Sequence, residues 1–237
     1  LAIDQSTSAT KSMIFDANAD LVKRVSINHK QYYPSQGFVE HDPDEIFGNT
    51  IDGIQKLLNK TGINKRDIAG ISITNQRETA VIWNRHTGNP VCNAAVWQCQ
   101  RGVSICEELK TKGFQEQIKE KTGLIIDSYF SASKLRWMME NVPNLRSSAD
   151  RGDLLLGTMD SWLLWKLTGG KVHATDYSNA CRTMLFNINT LKWDDELIKL
   201  FGLCRNMFPE VKFSDELFGH VSDQFESIAG LPISGLI

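Results

Sequence analysis

The chain has 237 residues, of which 41% are hydrophobic and 23% are charged, and its formal net charge is -2. This composition is typical of a folded globular domain, and the charge excludes the basic surface that nucleic-acid-binding domains carry. The most apolar stretch, residues 154–167, is interrupted by Asp160 and is too short to span a bilayer, so no membrane contact is expected.

The cysteines and histidines show no pattern that indicates a metal site or a disulfide framework. The cysteines are odd in number and contain no CxxC pair, and the histidines lack HxxxH and HxH spacing. This pattern predicts reduced thiols and therefore a cytoplasmic protein. The cysteines are Cys92, Cys99, Cys106, Cys181 and Cys204.

Strand patterns dominate the first part of the chain and are interrupted by one long helix. The helix is predicted to begin at the N-cap Asp42, with Pro43 in its first position and Glu45 closing a capping box. Gly62 is placed to end it. The predicted strands are Leu1–Asp4, Lys11–Asp16, Leu21–Lys30, Ile68–Thr74, Ala80–Trp83 and Ala94–Trp97.

Helical patterns dominate the second part of the chain. A buried strand at Asp153–Leu156 is followed by a helix that runs to Leu167, for which Asp160 is predicted to be the N-cap. The other predicted helices are Val103–Lys110, Phe114–Lys121, Ser133–Asn141 and Trp193–Phe201. Strands first, then strands interleaved with helices, predict an α/β domain with a mixed sheet flanked by helices.

An arginine and a glutamate are adjacent at the end of one predicted strand. Arg77 and Glu78 follow the apolar run Ile68–Ile73. A guanidinium offers a fork of donors and a carboxylate offers acceptors, which suits a small polyhydroxylated substrate. The alternative is an ordinary surface ion pair, which contributes little to stability.

The turn between the first two predicted strands is rich in hydroxyl groups. Hydroxyls and backbone N–H groups in residues 5–10 can surround phosphate oxygens, and Lys11 adds positive charge. Asp4 can position Mg²⁺ through the waters of that ion. The alternative is an ordinary hydroxyl-rich hairpin. The chain lacks the glycine-rich motifs of P-loop proteins, protein kinases and Rossmann domains.

Several blocks of sequence, in order, resemble the FGGY family of carbohydrate kinases over the whole chain. The resemblance implies a ribonuclease-H-like domain of the actin and hexokinase type. Residues 1–237 would then be the N-terminal, substrate-binding half, with a second, nucleotide-binding domain outside this chain. The blocks are Asp4–Gln5, Gly37–Pro43, Thr74–Thr79, Ala95–Gln98, Tyr129–Ser131, Gly157–Trp162 and Thr175–Asn187.

The resemblance also implies a role for individual residues. Arg77 and Glu78 match ligands of the substrate hydroxyls, and Trp97 and Tyr129 match aromatic residues that line the same pocket. By composition alone, the two aromatic residues are more typical of a core. Asp4 matches the carboxylate near the metal, and the positions that match those meeting the nucleotide phosphates are Thr7, Ser8 and Lys11.

Three positions depart from the family pattern. The family usually has glycine where this chain has Ser6, and a missing side chain there lets phosphate approach the backbone. It usually has arginine where this chain has Lys11 and Gln100. Lysine keeps the charge but loses the planar fork of donors. We expect altered nucleotide handling from Ser6 and a retuned pocket from Gln100.

The activity implied by the resemblance is transfer of phosphate from ATP, with Mg²⁺, to a hydroxyl of a small polyol. The second and third blocks lean toward members that convert glycerol to glycerol 3-phosphate. A kinase for another polyol or for a ketose such as xylulose is the first alternative, and a non-catalytic polyol-binding relative is the second. The full-length protein is expected to be a homo-oligomer.

No catalytic residue is expected within this chain. The family's general base is an aspartate in a Gly-Asp-Gln turn, which is expected just past Ile237, so residues 1–237 alone should bind polyol weakly without turnover. Asp160 is interpreted as a helix cap and not as a catalyst. Asp176 and Asn179 are interpreted as loop residues, with the rim of the pocket as the alternative.

Overall fold

The computed structural model describes the chain from Leu1 to Ile237. Its fourteen strands are β1 Ala2–Gln5, β2 Ala9–Phe15, β3 Leu21–Asn28, β4 Glu40–His41, β5 Ile71–Asn75, β6 Val81–Asn84, β7 Ala94–Ala95, β8 Leu154–Gly157, β9 Ala174–Asp176, β10 Phe186–Asn187, β11 Lys192–Trp193, β12 Glu210–Lys212, β13 Leu217–His220 and β14 Pro232–Leu236. Its eight α-helices are α1 Pro43–Thr61, α2 Val103–Thr111, α3 Gln115–Thr122, α4 Ser131–Asn141, α5 Leu145–Asp150, α6 Met159–Leu167, α7 Tyr177–Ala180 and α8 Asp195–Leu200.

The main sheet has six strands in the order β13-β14-β5-β1-β2-β3. The chain forms the β1-β2-β3 meander with antiparallel pairs, as the turn-rich connections predict. β5 then pairs with β1 in parallel, and β14 pairs with β5 in parallel. The mixed sheet flanked by helices is therefore confirmed.

Helix α1 has the predicted start and end. The Asp42 carboxylate accepts hydrogen bonds from the backbone N–H groups of Asp44 and Glu45, at 2.9 and 3.3 Å, and Gly62 ends the helix with φ 68°. The other half of the predicted capping box is wrong. The Glu45 carboxylate accepts a hydrogen bond from the backbone of Lys30 at 3.0 Å, because β3 ends beside the start of the helix.

The apolar core has two parts separated by the antiparallel pair of β6 and β8. Alternate side chains of a strand point to opposite faces, so Val81 and Trp83 pack toward α6 and the main sheet. Ala80 and Ile82, on the opposite face, pack into the core that contains α2 and α4. Both cores therefore meet at the strand that follows the Arg77–Glu78 loop.

Two predicted helix boundaries are wrong. α6 begins after Thr158, and Asp160 lies inside it, fully buried, where it accepts hydrogen bonds from the hydroxyls of Thr158 and Thr175. Burial raises the pKa of Asp160 to about 6. At the last predicted helix, Trp193 pairs as a strand residue, and α8 starts after the N-cap Asp194.

The last part of the chain contains elements that the sequence patterns did not reveal. These are the short strands β9 and β12, and the strands β13 and β14, which complete one edge of the main sheet. The short helix α5, before β8, was not predicted either. Short strands carry too few residues for a period to be recognised. None of the helices combines the length and the apolar character needed to cross a membrane.

Candidate functional site

An open cleft of about 410 Å³ lies where β1 and β5 end. The two strands are parallel neighbours, with Asp4 opposite Thr74 and Gln5 opposite Asn75. The turn after β1 and the loop after β5 are therefore side by side. The cleft is lined by Thr7, Thr74, Asn75, Gln76, Arg77, Glu78, Trp97, Tyr129 and Arg182.

Arg77 and Glu78 both line this cleft, but they do not pair with each other. Glu78 has the left-handed backbone conformation, φ 63°, and its side chain is only 4% exposed. Its carboxylate accepts a hydrogen bond from Nε of Arg182 at 2.7 Å. Arg77 is exposed. The cleft therefore contains both the predicted donors, on Arg77, and the predicted acceptors, on Glu78. Of the two side chains, only the Glu78 carboxylate has a counter-ion within the chain.

Arg182 is a cleft residue that sequence reasoning missed. Its guanidinium lies 5.0 Å from the ring centroid of Phe130 and 6.0 Å from that of Tyr129. Burial is the largest single influence and opposes its charge, but the hydrogen bond to Glu78 and the attraction of that carboxylate together raise the net pKa of the guanidinium. Only its position inside a family-like block signalled it, because its partner is 104 residues away.

Trp97 and Tyr129 form one wall of the cleft. Their ring centroids are 5.4 Å apart, with an angle of 58° between the planes, and Tyr129 is 38% exposed. The indole of Trp97 donates a hydrogen bond from Nε1 to Oγ1 of Thr7 at 3.0 Å, and its backbone N–H donates to Oγ1 of Thr79 at 3.2 Å. The two aromatic residues are therefore cleft residues, and all four predicted substrate ligands lie together.

The turn after β1 contains an ion pair. Nζ of Lys11 lies 2.7 Å from Oδ2 of Asp4, since the two residues are opposite each other in the β1–β2 register. The same ammonium donates a hydrogen bond to Oγ of Ser6 at 3.1 Å. Thr7 reaches the cleft, whereas Ser8 is exposed on the turn beside it.

The chemistry of Asp4 fits a hydrated divalent cation. The carboxylate is 27% exposed and uses Oδ2 for the ion pair, which leaves Oδ1 for a ligand. No group of three or more histidine, cysteine, aspartate or glutamate residues could hold a metal ion in this chain. A single carboxylate suits Mg²⁺, because that ion keeps several waters and takes other ligands from phosphates.

A buried polar network supports the floor of the cleft. Nε2 of Gln76 contacts Oε1 of Gln5 and Nδ1 of His41, both at 3.1 Å, and Oε1 of Gln76 accepts from the hydroxyl of Thr79 at 3.0 Å. Burial, with a smaller effect of the nearby His29, lowers the pKa of His41 to about 3 and keeps the ring neutral. Such a network holds the loop after β5 in one arrangement.

Asp176 and Asn179 lie behind the cleft and do not form its rim. Asp176 is buried and caps α7, and its carboxylate accepts hydrogen bonds from Asn179 at 2.8 Å and Ser214 at 2.6 Å. The side chain of Asn179 accepts from Asn75, which lines the cleft, at 3.0 Å. Gln100 is exposed beside Gly37, and it is not among the residues that line the cleft.

Comparison with known proteins gives one consistent result. A family model described as the FGGY family of carbohydrate kinases, N-terminal domain, matches residues 1–236. Glycerol kinase 1 of Thermotoga maritima is 54% identical over 93% of this chain, and glycerol kinase of Carboxydothermus hydrogenoformans is 49% identical over 100% of it. These matches cover 45% and 47% of those relatives, so the chain spans a little under half of their length.

Solved structures have the same fold. A crystal structure of Plasmodium falciparum glycerol kinase with ADP matches 99% of this chain and 47% of its own chain, with a TM-score of 0.94 and 37% identity. A ligand-bound xylulose kinase from Lactobacillus acidophilus matches 99% of this chain and 47% of its own, with a TM-score of 0.88 and 24% identity. The second similarity shows the fold alone.

Proposed function

Because the chain belongs to the FGGY family of carbohydrate kinases, we propose that its full-length protein transfers the γ-phosphoryl group of ATP to glycerol. The product would be glycerol 3-phosphate. The observation that carries the proposal is the meeting of Arg77, Glu78, Trp97 and Tyr129 in one cleft beside the hydroxyl-rich turn. The relatives described above are glycerol kinases, which supports this substrate over a ketose.

The chemistry of the cleft suits a three-carbon polyol. The exposed guanidinium of Arg77 offers donors, and Glu78 offers the carboxylate oxygen that Arg182 does not occupy. The rings of Trp97 and Tyr129 suit the C–H faces of the polyol. Since donors, acceptors and apolar walls are all present, the cleft can orient the acceptor hydroxyl, and orientation is a large part of phosphoryl-transfer catalysis.

The turn after β1 suits the phosphate end of a nucleotide. The hydroxyls of Thr7 and Ser8 and the ammonium of Lys11 would contact the phosphates. Asp4 would hold hydrated Mg²⁺, and the ion would neutralise phosphate charge. Thr7 also bonds to Trp97, so the phosphate turn and the polyol wall share one hydrogen bond.

We propose that residues 1–237 are the substrate-binding half and that a second, nucleotide-binding domain completes the site. β14 runs parallel to β5, with Leu236 opposite Ile73, and Ile237 donates its backbone N–H to Ile73 at 3.0 Å. This chain direction leads toward the loop that carries Arg77. An aspartate supplied from beyond Ile237 would be well placed to take the proton of the acceptor hydroxyl.

We also propose a cytoplasmic location. All five cysteines are unpaired, which suits a reducing compartment.

Phosphorylation rates of the full-length protein on glycerol, other polyols and xylulose test the substrate. We expect the highest kcat/KM for glycerol, and we expect the Glu78→Gln variant to lose about tenfold or more, because a buried acceptor becomes a mismatched amide. A higher kcat/KM for xylulose would favour the ketose kinase. Titration calorimetry with a non-hydrolysable ATP analogue separates enzyme from non-catalytic relative, since the latter would show no nucleotide binding.

A further inference from the structure

Lys134 is fully buried, and no step of the proposed reaction uses its amine. It lies in the first turns of α4, and its side chain folds back toward the start of that helix. Nζ donates three hydrogen bonds to three successive backbone carbonyls: Ser128 at 2.9 Å, Tyr129 at 2.6 Å and Phe130 at 2.9 Å. An ammonium has three N–H donors, so every donor is used.

This position is electrostatically unfavourable for a cation. Burial lowers the pKa of Lys134 to about 7, and the positive end of the α4 dipole lies beside it. The titratable groups that face it are Glu78, Asp127, Cys99 and Cys106, and it forms a salt bridge with none of them. An apolar side chain would avoid this cost but would remove the side-chain donor that holds these three backbone carbonyls.

The segment that Lys134 binds carries one wall of the cleft. The backbone N–H of Tyr129 donates to Oδ1 of Asp127 at 2.8 Å, so the residue is held from both sides. Its ring packs against Trp97. Two residues further on, Ser131 donates from its hydroxyl to the carbonyl of Glu78 at 3.1 Å.

We propose that Lys134 is a positioning residue that fixes Tyr129 and thereby sets the affinity of the cleft for its polyol. The inference rests on the proposed function. Lys134 supports the polyol half of the site, and the nucleotide contacts do not need it. Loss of the three hydrogen bonds should therefore weaken polyol binding and leave nucleotide binding unchanged.

The test compares Lys134→Met with Arg136→Met in the full-length protein. Arg136 lies on the same helix but binds Glu108 and Glu140 at the surface. We expect Lys134→Met to raise the calorimetric dissociation constant of glycerol, and the KM for glycerol, about tenfold. The dissociation constant of the ATP analogue should stay within about twofold, and Arg136→Met should change neither value.

The role of Tyr129 is tested by repeating Lys134→Met in a Tyr129→Ala background. If Lys134 acts through this ring, the second substitution should then weaken glycerol binding no further. An equal loss in both backgrounds, or an equal loss of nucleotide affinity, overturns the proposal. A wild-type protein that binds no polyol overturns the proposed function, whereas wild-type binding that Lys134→Met leaves unchanged overturns only the positioning role.

A pH series on the wild-type protein decides the matter if Lys134→Met fails to fold. As pH rises through about 7, the amine loses a proton and one of its three donors. The dissociation constant of glycerol should therefore rise severalfold over this range. A dissociation constant that stays level across it would contradict the proposed role.

Discussion

The carboxylate of Glu78 binds the guanidinium of Arg182, 104 residues further along the chain, and leaves the adjacent Arg77 free. The two arginines of the cleft therefore have different roles. Arg182 neutralises the buried carboxylate and covers the rings of Tyr129 and Phe130. Arg77 is exposed on the cleft, and its donors remain available for a hydroxyl ligand.

Removing Arg182 should destabilise the folded chain, because Arg182 is the counter-ion of the buried Glu78 carboxylate. In Arg182→Met, the buried Glu78 carboxylate loses its counter-ion, and we expect the free energy of unfolding to fall by about 2–3 kcal/mol. Because the arginine side chain is 33% exposed, water will screen part of this effect. Urea denaturation at neutral pH measures the change.

The double variant Arg182→Met with Glu78→Gln is the control. Glutamine carries no charge, so the double variant should recover part of the lost stability. If Glu78→Gln lowers the free energy of unfolding by the same amount in Arg182→Met as in the wild type, the two side chains are not coupled.

The hydrogen bond between Thr7 and Trp97 should be measurable as a coupling energy. Thr7→Val removes the acceptor and Trp97→Phe removes the donor, and each should weaken glycerol binding. In a double-mutant cycle the two losses should fall short of additivity by about 1 kcal/mol, the usual net value of one hydrogen bond. Titration calorimetry with glycerol gives all four values.

Thr7→Ser is the matched variant for this cycle, because serine keeps the hydroxyl. It should bind glycerol nearly as well as the wild type. Fully additive losses for Thr7→Val and Trp97→Phe would mean that the contact contributes nothing to the cleft.

Replacing Ser6 with glycine should strengthen nucleotide binding. The Ser6 hydroxyl accepts one hydrogen bond from Lys11, and its Cβ occupies the turn where phosphates would approach the backbone. Ser6→Gly removes both effects, and we expect a gain of a few fold in affinity for the ATP analogue. Ser6→Ala removes the hydroxyl alone and should gain less; weaker binding by Ser6→Gly would show that the hydroxyl itself is a ligand.

Asp160 should make stability depend on pH in the acid range. Its folded pKa of about 6 lies above its ordinary value of 3.8, so the folded state binds the extra proton between these values. The bound proton stabilises the folded state fully below about pH 4. This stabilisation is lost as pH rises to about 6, which lowers the free energy of unfolding by about 3 kcal/mol.

Asp160→Asn removes this titration. Between pH 4 and pH 7 the wild type should lose about 3 kcal/mol that the variant does not lose. The difference in free energy of unfolding, variant minus wild type, should therefore increase by about 3 kcal/mol over this range. Urea midpoints across that range measure it. A difference that stays constant with pH would mean that Asp160 titrates alike in the folded and unfolded chain.

Short-range patterns predicted the parts of the fold that depend on neighbouring residues. The caps Asp42 and Gly62 act within one turn of α1, and strand patterns separated by turn-rich segments predicted β1, β2 and β3. Glu45 shows the limit of such patterns, because its carboxylate binds the backbone N–H of Lys30, just after β3, and not the start of its own helix.

The amino-acid sequence by itself identified the candidate cleft residues: Arg77 and Glu78 from their adjacent donors and acceptors after a strand, and Trp97 and Tyr129 from the resemblance of their sequence blocks to the family. Only the tertiary structure decided how they are held there: the counter-ion of Glu78 and the path of β14 beside β5. These are contacts between distant residues. They form when the sheet closes, and no local sequence pattern encodes them.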